Sequence, residues 1–172
     1  MGKVINMRLS TASINNAINE LRTYRQELIR KSDLLVQRLA EIGLEVVNTN
    51  KTGKGDSDFG GLKSYFEVQH SGINTIATLF LKGKDVAFVE FGAGVHYNGA
   101  GGSSPHPYGL SLGMIIGSYG KGYGLQNHWY YKGDGDTKWQ KSYGTEAAMP
   151  MYKASQEIRD RFIGIAKEVF NA

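Results

Sequence analysis

Between Ser10 and Val47 the chain has no proline and, apart from Gly43, no glycine, while apolar residues recur at Ile14, Ile18, Leu21, Leu28, Leu35, Leu39, Ile42 and Val46. Spacings of three, four and seven put these side chains on one stripe of a helix. Ser10 and Thr11 offer N-caps. At about 1.5 Å per residue the helix is more than about 50 Å long, beyond the width of a small domain. It must therefore overhang its own core or pack against another subunit, and the rest of the fold is arranged around that fact. Leu21, Leu28 and Leu35 are expected to face a sheet or the last helix. Gly43 marks a bend or an early end, because glycine costs about 1 kcal/mol in a helix interior.

The remaining elements are shorter. A turn-rich stretch, 48–61, leads into strand-like runs at 62–70 and 73–81, with Ser71-Gly72 as a two-residue hairpin signal. A third run, 86–91, fits a strand or two short helical turns equally. From Gly92 to Gly124 eleven of 33 residues are glycine, with Tyr97, Tyr108, Tyr119 and Tyr123 interleaved, so no helix forms there. Ordering so much glycine is costly, and residues 92–131 are expected to order only on assembly, with 97–124 mobile in the free subunit. Pro150 then opens a second amphipathic helix whose apolar face is Met151, Ala154, Ile158, Phe162, Ile165, Val169 and Phe170. The order predicts a single α+β domain. An antiparallel β-sheet is packed by the long N-terminal helix (10–47) and a C-terminal helix (150–171), with the sheet over 62–91 and a Gly/Tyr-rich irregular extension over 92–147.

Composition narrows the function. At 172 residues and 41% hydrophobic, one domain with a real core is possible and wholesale disorder is not. There is no cysteine, hence no disulfide, thiolate metal site or cysteine nucleophile. No apolar run approaches 18 residues, so no spanning helix and no membrane partner is expected. The N-terminus lacks the apolar core of a secretory signal, and Asn6 stands where a myristoylation motif at Gly2 needs Ser or Thr. A soluble chain made in a cell's cytoplasm is the expectation. The net charge of +4 is spread: seven basic and five acidic groups lie in 1–50, five and five in 51–100, eight and six in 101–172. No third forms the basic block of a strong nucleic-acid binder.

Catalytic patterns match poorly. The histidines His70, His96, His106 and His128 contain no i, i+4 pair, although Glu90, His96, His106 and His128 would converge if the Gly-rich segment folded back. Glu90 with Asp134 or Asp136 is a formal carboxylate pair of the kind glycoside hydrolysis uses. Gly117–Gly122 lacks P-loop spacing, and Tyr97 occupies the third-glycine position of a dinucleotide fingerprint. No cofactor or metal is expected and no catalytic residue is assigned. The tyrosines read best as contact surface; an aromatic platform for single-stranded nucleic acid would need a basic groove that the sequence does not display. A metal- or carboxylate-dependent hydrolase acting on cell wall and a small nucleic-acid-binding module are the alternatives.

Two short patterns resemble one family. Val86-Ala87-Phe88-Val89-Glu90-Phe91-Gly92 is similar to the "YAxyVEfGT" signature of the neck, or tail-completion, proteins that join head to tail in tailed bacteriophages. Ala148-Met149-Pro150-Met151-Tyr152-Lys153-Ala154 is similar to that family's "a-x-P-F-m-x-x-A", and the segment from Tyr123 through Trp129, Tyr130 and Trp139 resembles a Gly/Tyr–Trp stretch in members from Gram-positive hosts. Ala93, Val86 and Met151 stand where the family more often has Thr, Tyr and Phe. The resemblance implies a non-enzymatic virion protein forming a homo-oligomeric ring of six or twelve copies. Its neighbours would be head-completion or connector proteins on one side and a tail terminator or tail tube on the other, with phage DNA passing through without sequence-specific binding. It implies structural roles for Glu90, Phe91, Gly92, Pro150, Met151 and Ala154. Glu90 is expected to accept backbone hydrogen bonds that hold the turn at Gly92. Candidate subunit contacts are Tyr97, Tyr108, Tyr119, Tyr123, Trp129 and Tyr130.

Overall fold

The computed structural model describes residues 4–51, 54–55, 61–92, 104–114, 128–133, 135–142 and 144–171. Helix α1 (Thr11–Asn50) is continuous through Gly43 and starts at Ser10, whose Oγ accepts the Ser13 N–H at 3.3 Å. A two-residue strand β1 (Lys54–Gly55) follows, then a long hairpin of β2 (Lys63–Ser71) and β3 (Asn74–Lys82). Helix α2 (Val86–Phe91) comes next, then β4 (Trp129–Tyr131), β5 (Gln140–Ser142), β6 (Thr145–Glu146) and helix α3 (Pro150–Asn171). The architecture is α+β: a two-stranded antiparallel sheet packed by one face on α1, with two smaller pairings among the described residues, β1 with β6 and β4 with β5.

Helix α3 runs antiparallel to the C-terminal half of α1. Lys153 Nζ donates to Asn50 Oδ1 at 3.0 Å at one end, and Lys31 Nζ donates to the Phe170 carbonyl at 3.4 Å at the other. Arg38 and Glu168 pair between them at 3.6 Å. Gly43 is neither bend nor stop. A Cβ there would lie 2.7 Å from Ile158 Cδ1 and 3.2 Å from Leu79 Cδ2, so the missing side chain lets α3 and the sheet both close onto α1. The buried apolar side chains of the described residues include Ala40 and Val47 of α1, Val89 of α2, and Ala154, Ile165 and Val169 of α3.

The hairpin lays one face on α1. Phe66 pairs with Leu79 and Val68 with Ala77 on that face, while Ser64 Oγ donates to Asn48 Oδ1 at 2.6 Å and Thr75 Oγ1 donates to Asp33. On the outer face Tyr65 and Phe80 stack with centroids 5.0 Å apart, and Lys82 Nζ sits 5.0 Å from the Tyr65 ring and 5.1 Å from that of Phe80. The loop is Gly72-Ile73, one residue later than the Ser71-Gly72 signal, since Ser71 and Asn74 are the last paired residues. Gly72 at φ 63° supplies the positive φ that such a tight loop requires at its first position.

Two expectations are corrected. Residues 86–91 form a short helix, so the sheet stops at Lys82 rather than reaching 91. Leu21 and Leu28 do not face the sheet or α3, being 55% and 37% exposed, whereas Leu35 is half-buried. The reason is length: α3 ends opposite Lys31, and the first twenty residues of α1, 11–30, overhang the packed body by about 30 Å. Ile14 and Ile18 are exposed on the same overhang, while Ala17 is buried.

Candidate functional site

The segments that carry the two short signatures, about sixty residues apart, meet at the start of α3. A helix leaves its first amides without intrahelical partners. Here Pro150 at the first position has no N–H, and Met149, whose carbonyl accepts the first helical bond from Lys153 N at 2.9 Å, has no side chain able to cap. Glu90 supplies the cap from another element. Its Oε2 accepts the Met151 N–H at 2.9 Å, and its Oε1 accepts the Tyr152 N–H, also at 2.9 Å. The negative carboxylate also sits at the positive end of the helix dipole. The expectation for Glu90 holds in kind and is corrected in place: it accepts backbone hydrogen bonds, but from α3, while the turn at Gly92 is closed by Gly92 N to the Phe88 carbonyl at 2.8 Å.

Phe91 and Gly92 complete the junction. The Val89 carbonyl accepts Ala148 N at 2.8 Å, tying the end of α2 to the entry of α3. Gly92 has φ 76°, and a Cβ on it would lie 3.0 Å from both Ala147 N and the Thr145 carbonyl oxygen, so a side chain is excluded twice over. Pro150 and Ala154 are buried and Met151 is half-buried. Met149 takes φ 55°, the left-handed conformation that turns the chain into the helix.

The third partner of Glu90 is His106, whose Nε2 lies 3.1 Å from Oε1, with both side chains more than nine-tenths buried. Its tautomer follows from the other nitrogen. Nδ1 accepts the Tyr108 N–H at 3.0 Å, so the ring proton is on Nε2 and is donated to Glu90. The local sequence explains how His106 is held. In Ser104-Pro105-His106-Pro107-Tyr108 the prolines remove two amide donors. The amides of His106 and Tyr108 are each taken by the side chain two residues before: His106 N by Ser104 Oγ at 3.2 Å, and Tyr108 N by the imidazole at 3.0 Å. Ser104 Oγ in turn donates to the Phe91 carbonyl. The ring is walled by Phe91 and Tyr152, with centroids 4.6 Å and 5.2 Å away.

Residues 104–114 are therefore docked structure, closed by Ser104 N to Met114 O at 3.0 Å and Met114 N to Gly109 O at 2.9 Å. They lie within 97–124, the stretch expected to be mobile in the free subunit. Of the candidate contacts, Tyr108 and Tyr130 are exposed, with Leu110 and Leu112 exposed beside Tyr108. Tyr97, Tyr119 and Tyr123 lie outside the described residues, as do His96, Asp134 and the side chain of Trp129. Sequence reading missed the roles of Ser104 and His106; the alternation of Pro105 and Pro107 was the available signal.

Chemically the junction is saturated. Among the described residues every buried side-chain nitrogen or oxygen has a partner, and no group of three or more His, Asp or Glu is placed to hold a metal. An open groove of about 480 Å³ lies elsewhere, between α1 and α3, edged by Arg38, Glu41, Glu45, Arg161 and Glu168. No described helix is long and apolar enough to cross a membrane. In comparisons with known proteins, no family model, curated protein or solved structure matches the chain.

Proposed function

We propose that this chain is a structural, non-enzymatic subunit of a bacteriophage neck, oligomerising into a ring of six or twelve copies that links the capsid-side connector to the tail. In this reading it resides in the virion and lets DNA pass through its lumen. The observation that carries it is the Glu90 junction: the residues resembling the two family signatures form one buried, fully hydrogen-bonded brace between α2 and α3. That is the use expected of an architectural motif, since all three donors are spent on holding the fold. The overhang of α1 supports the reading as well, because Ile14, Ile18, Leu21 and Leu28 present a continuous apolar stripe with no α3 beside it.

Purified protein examined over a concentration series by light scattering and negative-stain microscopy tests the ring. Antibody labelling of particles from the encoding phage tests the location. Closed rings and label at the head–tail junction are the expected results. A monomer at every concentration, absent from particles, would sink the proposal.

A further inference from the structure

Gly164 stands in the interior of α3, on the wall of the open groove between α1 and α3, and a Cβ built on it would meet nothing within 4 Å. Glycine disfavours a helix interior, and at Gly43 the subunit's own packing makes use of it, through Ile158 and Leu79. At Gly164 no described residue takes up the space, which suits the close approach of a second helix from outside. The groove is also charged unevenly. Arg38 is paired with Glu168 at 3.6 Å and Arg161 with Glu157 at 2.5 Å, so its two cations are engaged within the subunit. Glu41 and Glu45, one turn apart on α1 and both exposed, have no cationic partner among the described residues. They form a negative edge beside Ile42 and Ile165.

The overhang of α1 carries the complement. Ile14, Ile18 and Leu21 are exposed at the i, i+4, i+7 spacing by which a helix anchors in a groove. Arg25 stands in the same stripe, four residues after Leu21, and Arg22 lies four after Ile18. Both arginines are exposed, and neither has an acidic partner among the described residues. Glu20 and Glu27, the acids of the overhang, fall on the other side of the helix at about 3.6 residues per turn. Laid on the same stripe of another copy, this face would bury guanidiniums in a seam that holds no carboxylate.

We propose that the overhang of one copy lies in the α1–α3 groove of the next. Ile14, Ile18 and Leu21 enter past Gly164, while Arg22 and Arg25 meet Glu41 and Glu45. Two unlike patches meet head to tail, so the contact repeats from copy to copy, which is how rings arise. It rests on the ring reading and names what covers the overhang.

The test uses the full chain and two charge-reversed variants, one carrying Arg22→Glu with Arg25→Glu and the other Glu41→Arg with Glu45→Arg. All four positions are exposed, so circular dichroism should be unchanged. In sedimentation each variant alone should self-associate about tenfold more weakly than the parent, and an equal mixture of the two should regain the parent's association. Gly164→Leu, which has room within the subunit, should keep the fold and weaken association as strongly. Because the chain has no cysteine, Ile18→Cys and Gly164→Cys proteins can be mixed and treated with a short bismaleimide. A cross-linked pair with one copy of each is expected. Parent-like association in both charge variants, or a mixture that stays dissociated, would overturn the groove contact and leave the ring standing. Cross-linking of Ile18→Cys to itself but not to Gly164→Cys would also overturn it, in favour of stripe on stripe. The mixed cross-link on open chains that never close would support the contact and sink the ring. A parent that neither associates nor cross-links through these positions would overturn both.

Discussion

Glu90 Oε2 accepts the Met151 N–H at 2.9 Å, joining the end of one short helix to the start of a long one across 61 residues of sequence. Removing the carboxylate orphans three donors in a buried site: the amides of Met151 and Tyr152 and the imidazole Nε2–H. Glu90→Ala is expected to cost about 3–5 kcal/mol, since each unsatisfied buried polar group costs about 1–3 kcal/mol and they share one cavity. Glu90→Gln keeps one acceptor oxygen but aims an NH₂ group at donors, and should fall in between. Urea unfolding of the three proteins checks the order; a loss below about 1 kcal/mol for the alanine variant would show that the junction does not brace the fold.

The His106 ring should be the Nε2–H tautomer, because Nδ1 is engaged as an acceptor by Tyr108 N. Long-range proton–nitrogen correlation spectra read this directly, with Nδ1 at the shift of an unprotonated nitrogen. His106→Phe preserves the aromatic contacts with Phe91 and Tyr152 but leaves Glu90 a donor short and Tyr108 N unpartnered. A cost of about 2 kcal/mol is expected. A variant as stable as the parent would mean that water replaces both bonds without penalty.

At Gly43 two effects oppose each other. Alanine gains about 1 kcal/mol of helix propensity, but its Cβ would meet Ile158 Cδ1 at 2.7 Å. That methyl is the far end of a side chain and can move, so Gly43→Ala should change stability by less than about 1 kcal/mol, whereas Gly43→Leu should lose more than about 2 kcal/mol by overpacking. Ile158→Val deletes the clashing methyl. It should therefore cost less in the Gly43→Ala background than in the parent, and a double-mutant cycle measures that coupling. Strict additivity would place α3 farther from α1 than the structure has it.

The long elements were legible because a stripe repeated over many turns identifies a helix whatever surrounds it: α1 and α3 lie close to where periodicity puts them. The hairpin was legible to within one residue at its loop. Residues 86–91 were not, since six apolar-rich residues fit either period. The partnership of Glu90 with His106 and the α3 amides was invisible for a different reason. It depends on separations of 16, 61 and 62 residues that only the folded chain brings together. The apolar stripe of α1 misled in one respect: periodicity identifies a face but not what covers it, so Leu21 and Leu28 read as core although α3 stops short of them.

That last difference separates folding from assembly. Val47 is fully buried beneath the hairpin and α3, so Val47→Asp should unfold the chain by placing an unpaired charge in the core. Leu28 is 37% exposed and Leu21 55% exposed, and both lie beyond the end of α3. The pair Leu21→Asp and Leu28→Asp should therefore shift the melting temperature of the dilute chain by no more than a few degrees, on the scale of about 2–4 °C per kcal/mol for a domain of this size. On the ring proposal the same variant should fail to self-associate, because two charges would then sit in the stripe that the proposal has a neighbouring copy cover. Melting curves at low concentration and light scattering at high concentration read the two effects independently. A large drop in melting temperature would show that the overhang is part of the folding core. Unchanged melting together with unchanged association would show that subunits meet through another face.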